Sequence, residues 1–339
     1  MIKTRVTEML GIKYPIISAP MGPFYTTELT AAVSEAGGLG VLSHTNLRGV
    51  NTIKVMKENL EYVVEHTDKP FGFNIRTARM QPDAMTLIRN ISKWVNENPK
   101  LKEQCIYGIT SAGTPRKACE VWKKRAPSIK HFHVAPAMWL AKKVVETGCD
   151  GVVMTGIEGG GHQSYEEVTT MVLVQQAARE FPDTPLVACG GIASPEGVAM
   201  AIAGGADAVA MGTRFIAANQ SEFHEKYKAL IYPATAKDTL LTTGAFGPIR
   251  LIRNKYALEH GQVMSREEKQ AQESGFNLDE LEEMMEKYEL VYKGEVEDGA
   301  VLVGQTIGLI DKPMDVDEIV AGFSKKAEEL LKKAASKVS

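Results

Sequence analysis

A chain of 339 residues, 44% hydrophobic and 24% charged, is long enough for one large α/β barrel with an insertion and has the balance of a globular protein with a sizeable core. Its formal net charge of −3, with no basic block, gives no electrostatic support for binding nucleic acid or an anionic membrane. No run approaches the roughly 20 apolar residues of a membrane span, and the Lys3/Arg5 start is interrupted by Glu8 with no apolar signal core behind it, so a cytoplasmic location is expected.

Along the chain, short β-rich apolar runs occur at 16–21, 39–44, 71–76, 105–111, 131–135, 151–155, 185–190 and 208–215, separated by stretches with helical spacing such as 51–66, 83–96 and 166–180. Strands alternating with helices imply βαβ units and a parallel sheet, and eight such units point to a closed (β/α)₈ TIM barrel, with an open sheet as the alternative. After Phe215 the alternation stops. The reading is a barrel over 1–216, a mostly helical insertion or lid over 217–300, and a C-terminal segment, 301–339, that returns to the barrel. Within the insertion, 264–290 reads as surface helix broken near Gly275; in the C-terminal segment, 315–333 reads as a Lys/Glu-rich helix closing the outer ring.

Cys105, Cys119, Cys149 and Cys189 lie far apart with no CxxC spacing and read as reduced core thiols, so no metal set is expected. Among the histidines, His44, His66, His131, His133, His224 and His260 form no ligand pattern, although His131 and His133 fall on one face of a strand.

Three places carry chemistry. The run ending in Gly190-Gly191 is followed by Ser194 and Pro195, a cap and first position for a helix. About twenty residues later Met211-Gly212-Thr213 repeats the device. Glycines let backbone approach a phosphate closely, and barrels place phosphates after the seventh and eighth strands. The second place is Gly156-Ile-Glu-Gly-Gly-Gly-His162, a loop that can pass close to a flat ligand and end in a proton-moving imidazole; a plain surface loop is an equal alternative. The third is Ser18-Ala19-Pro20-Met21-Gly22, a corner after the first run for which a purely structural turn is an equal alternative, together with Asn74, a polar residue at the end of an apolar strand.

These motifs, with Glu158-Gly-Gly-Gly-His162, Gly204-Gly-Ala-Asp207, Arg253-Asn254 and Gly304-Gln305-Thr-Ile-Gly308, make the chain similar over nearly its whole length to the nitronate monooxygenases, formerly called 2-nitropropane dioxygenases. Related flavin-dependent enoyl-acyl-carrier-protein reductases and NADH:quinone reductases share them. The resemblance implies an FMN-dependent oxidoreductase. Gly190, Gly191, Met211, Gly212 and Thr213 would surround the cofactor phosphate, and Ala19, Pro20, Met21, Asn74, Gly160 and Gly161 would meet the flavin. His162 would be the catalytic residue. The implied reaction is oxidation of alkyl nitronates with dioxygen. The alternative is NAD(P)H-dependent reduction of enoyl thioesters or quinones, toward which Thr169-Thr-Met-Val-Leu173 and Val134-Ala-Pro136 lean. The implied partner is a small molecule, with homodimerisation left open. Gly159 stands where the family usually has alanine, a change expected to loosen the loop.

Overall fold

The computed structural model describes residues 1–78, 81–244, 247–259, 265, 267–268 and 278–338. Its main sheet contains β1 (Ile16–Ser18), β2 (Gly40–Leu42), β3 (Phe71–Thr77), β4 (Cys105–Gly113), β5 (Lys130–Ala135), β6 (Gly151–Thr155), β8 (Leu186–Cys189) and β9 (Ala208–Met211). All pair in parallel, in the order β1-β9-β8-β6-β5-β4-β3-β2. The ring closes where Ile17 bridges Leu39, with the Leu39 amide donating to the Ile16 carbonyl at 2.9 Å. This is the TIM barrel expected from the sequence.

Period-two alternation fills it. Ile17, Val153, Val187 and Ala210 belong to one cluster with Tyr107, Ile109 and Phe132 from the facing strands. Their neighbours Ile16, Val152, Leu186 and Val209 join a second cluster with the surrounding helices. Val6 and Leu10 of the first helix, Arg5–Leu10, pack into the interior cluster. Arg5 ties that helix down through Asp207 at 2.8 Å.

Several strands are shorter than their apolar runs. β1 stops at Ser18, before Pro20, which has no amide to donate, and β9 stops at Met211, after which Thr213–Ile216 turns into helix. Ser194 caps the helix Pro195–Ala203 as expected, its hydroxyl accepting from the Gly197 amide at 3.2 Å.

The segment after the barrel holds helices Glu225–Ile231, Lys255–Glu259 and Leu278–Tyr292. It also holds a hairpin of β10 (Thr239–Gly244) and β11 (Gly247–Ile252) that the helical reading did not foresee. The β-branched residues of Thr239–Gly244 and Gly247–Ile252 favour strand. β11 then pairs antiparallel with the short β7 (Gly161–His162), Ile249 opposite His162 and Arg250 opposite Gly161. The C-terminal helix Phe323–Ala335 packs on Pro195–Ala203, closing the outer layer. His260 and the break expected near Gly275 lie outside the described residues. Among those residues no helix is long and apolar enough to cross a membrane.

Candidate active site

The strands converge with their C-terminal ends around a cavity of about 570 Å³. Every residue singled out from the sequence except Met211 is on its wall: Ala19, Pro20 and Met21 after β1, Asn74 in β3, Gly160, Gly161 and His162 in the loop after β6, Gly190 and Gly191 after β8, and Gly212 and Thr213 after β9. Met211 is 1% exposed and belongs to the outer core; only its carbonyl turns toward this region, accepting from the Ala19 amide at 2.9 Å. Alternation along β9 decides this, because Ala210 takes the inward position.

One wall is a backbone cradle. Gly190 and Gly191 have φ of 86° and 72°, the left-handed region open to glycine. Gly212 is different: its φ of −99° suits any residue, and a Cβ there would meet only the Ala19 Cβ, at 3.8 Å. The space in front of it is therefore empty of protein and open to a ligand. Beside it the Thr213 hydroxyl accepts from the Gly304 amide at 3.0 Å, which leaves its own proton to donate. Left-handed glycines, an open glycine and a hydroxyl donor fit a phosphate.

The loop carrying His162 is held on every side, contrary to the looseness expected from Gly159. The Glu158 carboxylate accepts from the Thr170 amide at 2.9 Å and the Thr170 hydroxyl at 3.2 Å. Gln163 Nε2 donates to the Gly159 carbonyl at 2.8 Å, and Arg250 Nε to the Ile157 carbonyl at 2.9 Å. The Gln305 amide donates to the Glu158 carbonyl at 2.9 Å. A Cβ on Gly160 would lie 2.6 Å from the Val303 carbonyl carbon, so the two backbones touch. His162 itself is exposed and projects from this clamped strand pair at the cavity wall.

Asn74 is 2% exposed and spends its amide N–H groups on the Ile109 carbonyl at 3.1 Å and Ser111 Oγ at 3.2 Å. Its carbonyl oxygen is thereby left as the acceptor. Two residues further along the strand, Arg76 also lines the cavity, its Nε buried with no hydrogen-bond partner among the described residues. Burial pulls its pKa down. Sequence reasoning passed over Arg76, although a polar residue at i+2 from Asn74 was the available signal. Cys189, also on the wall, is pushed up to about 11 by burial and stays a neutral thiol.

Outside the wall, other motif residues prove structural. Asn254 bridges the Val296 and Gly299 carbonyls at 2.6 and 2.8 Å, and Arg214 donates to the Ala217 and Lys312 carbonyls. Thr170 of the stretch that leans toward the reductases does structural work at Glu158.

A family model described as nitronate monooxygenase matches residues 3–325. A Rhodococcus jostii (3aS,4S,5R,7aS)-5-hydroxy-7a-methyl-1-oxo-octahydro-1H-indene-4-carboxyl-CoA dehydrogenase is 30% identical over 266 residues, covering 78% of this chain and 70% of that protein. A probable nitronate monooxygenase of Staphylococcus aureus is 28% identical over 293 residues, 77% of this chain and 81% of the relative. Among solved structures, FabK from Thermotoga maritima is 33% identical, superposes with a TM-score of 0.83, and is matched over 100% of both chains.

Proposed function

The chain belongs to the nitronate monooxygenase family and is an oxidoreductase, and from that premise we propose that it binds FMN in the glycine cradle and oxidises alkyl nitronates with dioxygen. The observation that carries this reading is the union, in one cavity, of Gly190, Gly191, open Gly212 and the Thr213 hydroxyl with His162 on the same wall. The cradle would hold the phosphate, and Ala19, Pro20, Met21, Gly160 and Gly161 would meet the ring system. Asn74 Oδ1 would accept a ring N–H. When bound, FMN supplies the transfer of electrons between substrate and dioxygen. The His162 imidazole would hold the nitronate anion through an N–H, or take the carbon-bound proton of a neutral nitroalkane. The half-buried Arg76 guanidinium adds positive potential that suits an anionic substrate.

A second reading, NAD(P)H-dependent reduction of an unsaturated thioester, is favoured by the apolar wall of Val134, Pro136, Trp139 and Leu140, with Trp139 still 53% exposed at its edge. That wall suits an acyl chain, and the Rhodococcus relative is named for a CoA thioester. Anaerobic mixing of the FMN-loaded enzyme separates the two. An alkyl nitronate should bleach the oxidised-flavin absorbance, and NADH or NADPH should do so slowly. Rapid bleaching by NADH or NADPH, reversal by an enoyl thioester and indifference to nitronates would overturn the first reading in favour of the second.

A further inference from the structure

At the opposite end of the barrel from the cavity, two cysteines that are thirty residues apart in sequence meet a histidine. Cys119 lies on the helix Arg116–Arg125, His131 at the start of β5, and Cys149 in the turn before β6. One ligand atom from each, two sulfurs and a ring nitrogen, lies within 4.8 Å of the others. Cys119 and His131 are each 2% exposed, and Cys149 is half-buried, so the group is reachable from one side.

One edge of this triangle matches that of a coordination polyhedron. Cys149 Sγ is 3.5 Å from His131 Nδ1. Bonds of about 2.3 Å to sulfur and about 2.0–2.1 Å to nitrogen around a tetrahedral ion set the same edge at about 3.5 Å. The second nitrogen of His131 is already oriented: Nε2 lies 2.8 Å from Thr110 Oγ1, which lies 2.7 Å from His133 Nδ1. With Nε2–H donating to Thr110, and the Thr110 hydroxyl donating onward to His133, His131 Nδ1 presents its lone pair to the thiols. Metal-bound imidazoles are held in this way through the nitrogen that does not bind. The Asp150 carboxylate fixes the same strand end, accepting from the His131 amide at 2.8 Å. The Lys123 ammonium lies near both thiols. Two thiolates and a divalent ion sum to zero, so the ammonium does not repel the loaded site.

We propose that Cys119, His131 and Cys149 form a site for a thiolate-preferring divalent metal ion of the Zn²⁺ type, completed by water, which ties the helix Arg116–Arg125 to β5 and the turn before β6. The spacing of the cysteines along the chain hides such a site, because helix packing rather than a CxxC turn brings the sulfurs together. Its position at the N-terminal face of the barrel gives it a part in stability rather than turnover.

Cobalt(II) titration of the reduced, metal-stripped full-length protein tests the proposal. One equivalent should bind with a thiolate-to-cobalt charge-transfer band, and Zn²⁺ should displace it. Cys119→Ser and Cys149→Ser should each weaken binding by more than roughly 100-fold, the upper cost of losing a supporting residue around a metal, and Thr110→Val by roughly 10-fold. Should the serine variants fail to fold, the unaltered protein still answers: bound Zn²⁺ should shield Cys119 and Cys149 from a thiol reagent while leaving the reactivity of Cys105 and Cys189 unchanged. Absence of the band, a band that survives both serine substitutions, or no shielding of Cys119 and Cys149 overturns the site. So does a preference of the pair for closing into a disulfide in air with Zn²⁺ present.

Discussion

Gly212 and Gly151 show how two glycines of one barrel serve different ends. A Cβ at Gly151 would lie 2.1 Å from the Phe132 ring, so this glycine exists for packing. At Gly212 nothing of the protein stands closer than the Ala19 Cβ at 3.8 Å. Gly212→Val should therefore leave the thermal midpoint of the flavin-free protein unchanged while flavin no longer co-purifies; retention of full flavin content would remove Gly212 from the phosphate site. At His162 the expected result turns on the substrate's protonation state. If the imidazole takes the carbon-bound proton, His162→Asn slows turnover of a neutral nitroalkane by ~10²–10⁴-fold and hardly affects the pre-formed nitronate. Equal losses on both substrates would leave histidine only a binding or packing part.

At the scale of elements, the loop after β6 owes its order to partners that arrive from far along the chain. β11 pairs with Gly161–His162, the Gln305 amide reaches the Glu158 carbonyl, and Thr170 ties the loop to the helix that follows. Thr170 Oγ1 accepts from the buried Gly156 amide at 3.1 Å and lies 3.0 Å from the Cys189 carbonyl. Thr170→Val keeps the shape and leaves the Gly156 amide its bond to the Cys189 carbonyl at 3.1 Å, but it removes the hydroxyl's bonds to that amide and to Glu158, so denaturant titration should show a loss of about 0.5–1.5 kcal/mol. Flavin content should fall with it, since the loop and the Gly190 turn meet through these bonds. An unchanged midpoint would mean that the loop stands without Thr170.

For the whole molecule, part of the response to acid follows from one pair between the loops after β2 and β3, the buried His44 and the half-buried Asp83. His44 is fully buried; its Nδ1 accepts from the Arg76 amide at 3.0 Å, and its Nε2 lies 3.1 Å from Asp83 Oδ2. Burial outweighs the aspartate and pulls the His44 pKa down, so the ring is neutral and Nε2–H donates. Burial alone would raise Asp83, but hydrogen bonds from His44, Gln81 and Thr52 hold it at about 2. Both folded values lie below the unfolded ones, so both contributions to stability are present at neutral pH and lost on acidification. The His44 part goes as pH falls from about 6.5, and the Asp83 part between about 4 and 2. Midpoints measured across this range should drop in two stages. Asp83→Asn should remove the lower stage; if that stage persists, Asp83 is not its source.

The barrel and most of the cavity wall could be read from the order of residues along the chain. Strand and helix periods are local, and a glycine pair at a strand end marks a backbone turn wherever the chain later goes. In a parallel barrel all such ends collect on one face, so Ala19, Asn74, Gly190 and Gly212 could be placed together before any contact was known. Tertiary structure alone decided the rest. It turned Met211 outward through the alternation of β9, stitched His162 to a hairpin some ninety residues away, and set the half-buried Arg76 cation at the cavity. It also joined Cys119 to Cys149 across a helix and a strand. Each of these depends on which residues become neighbours across the fold, and neither spacing nor composition along the chain encodes that.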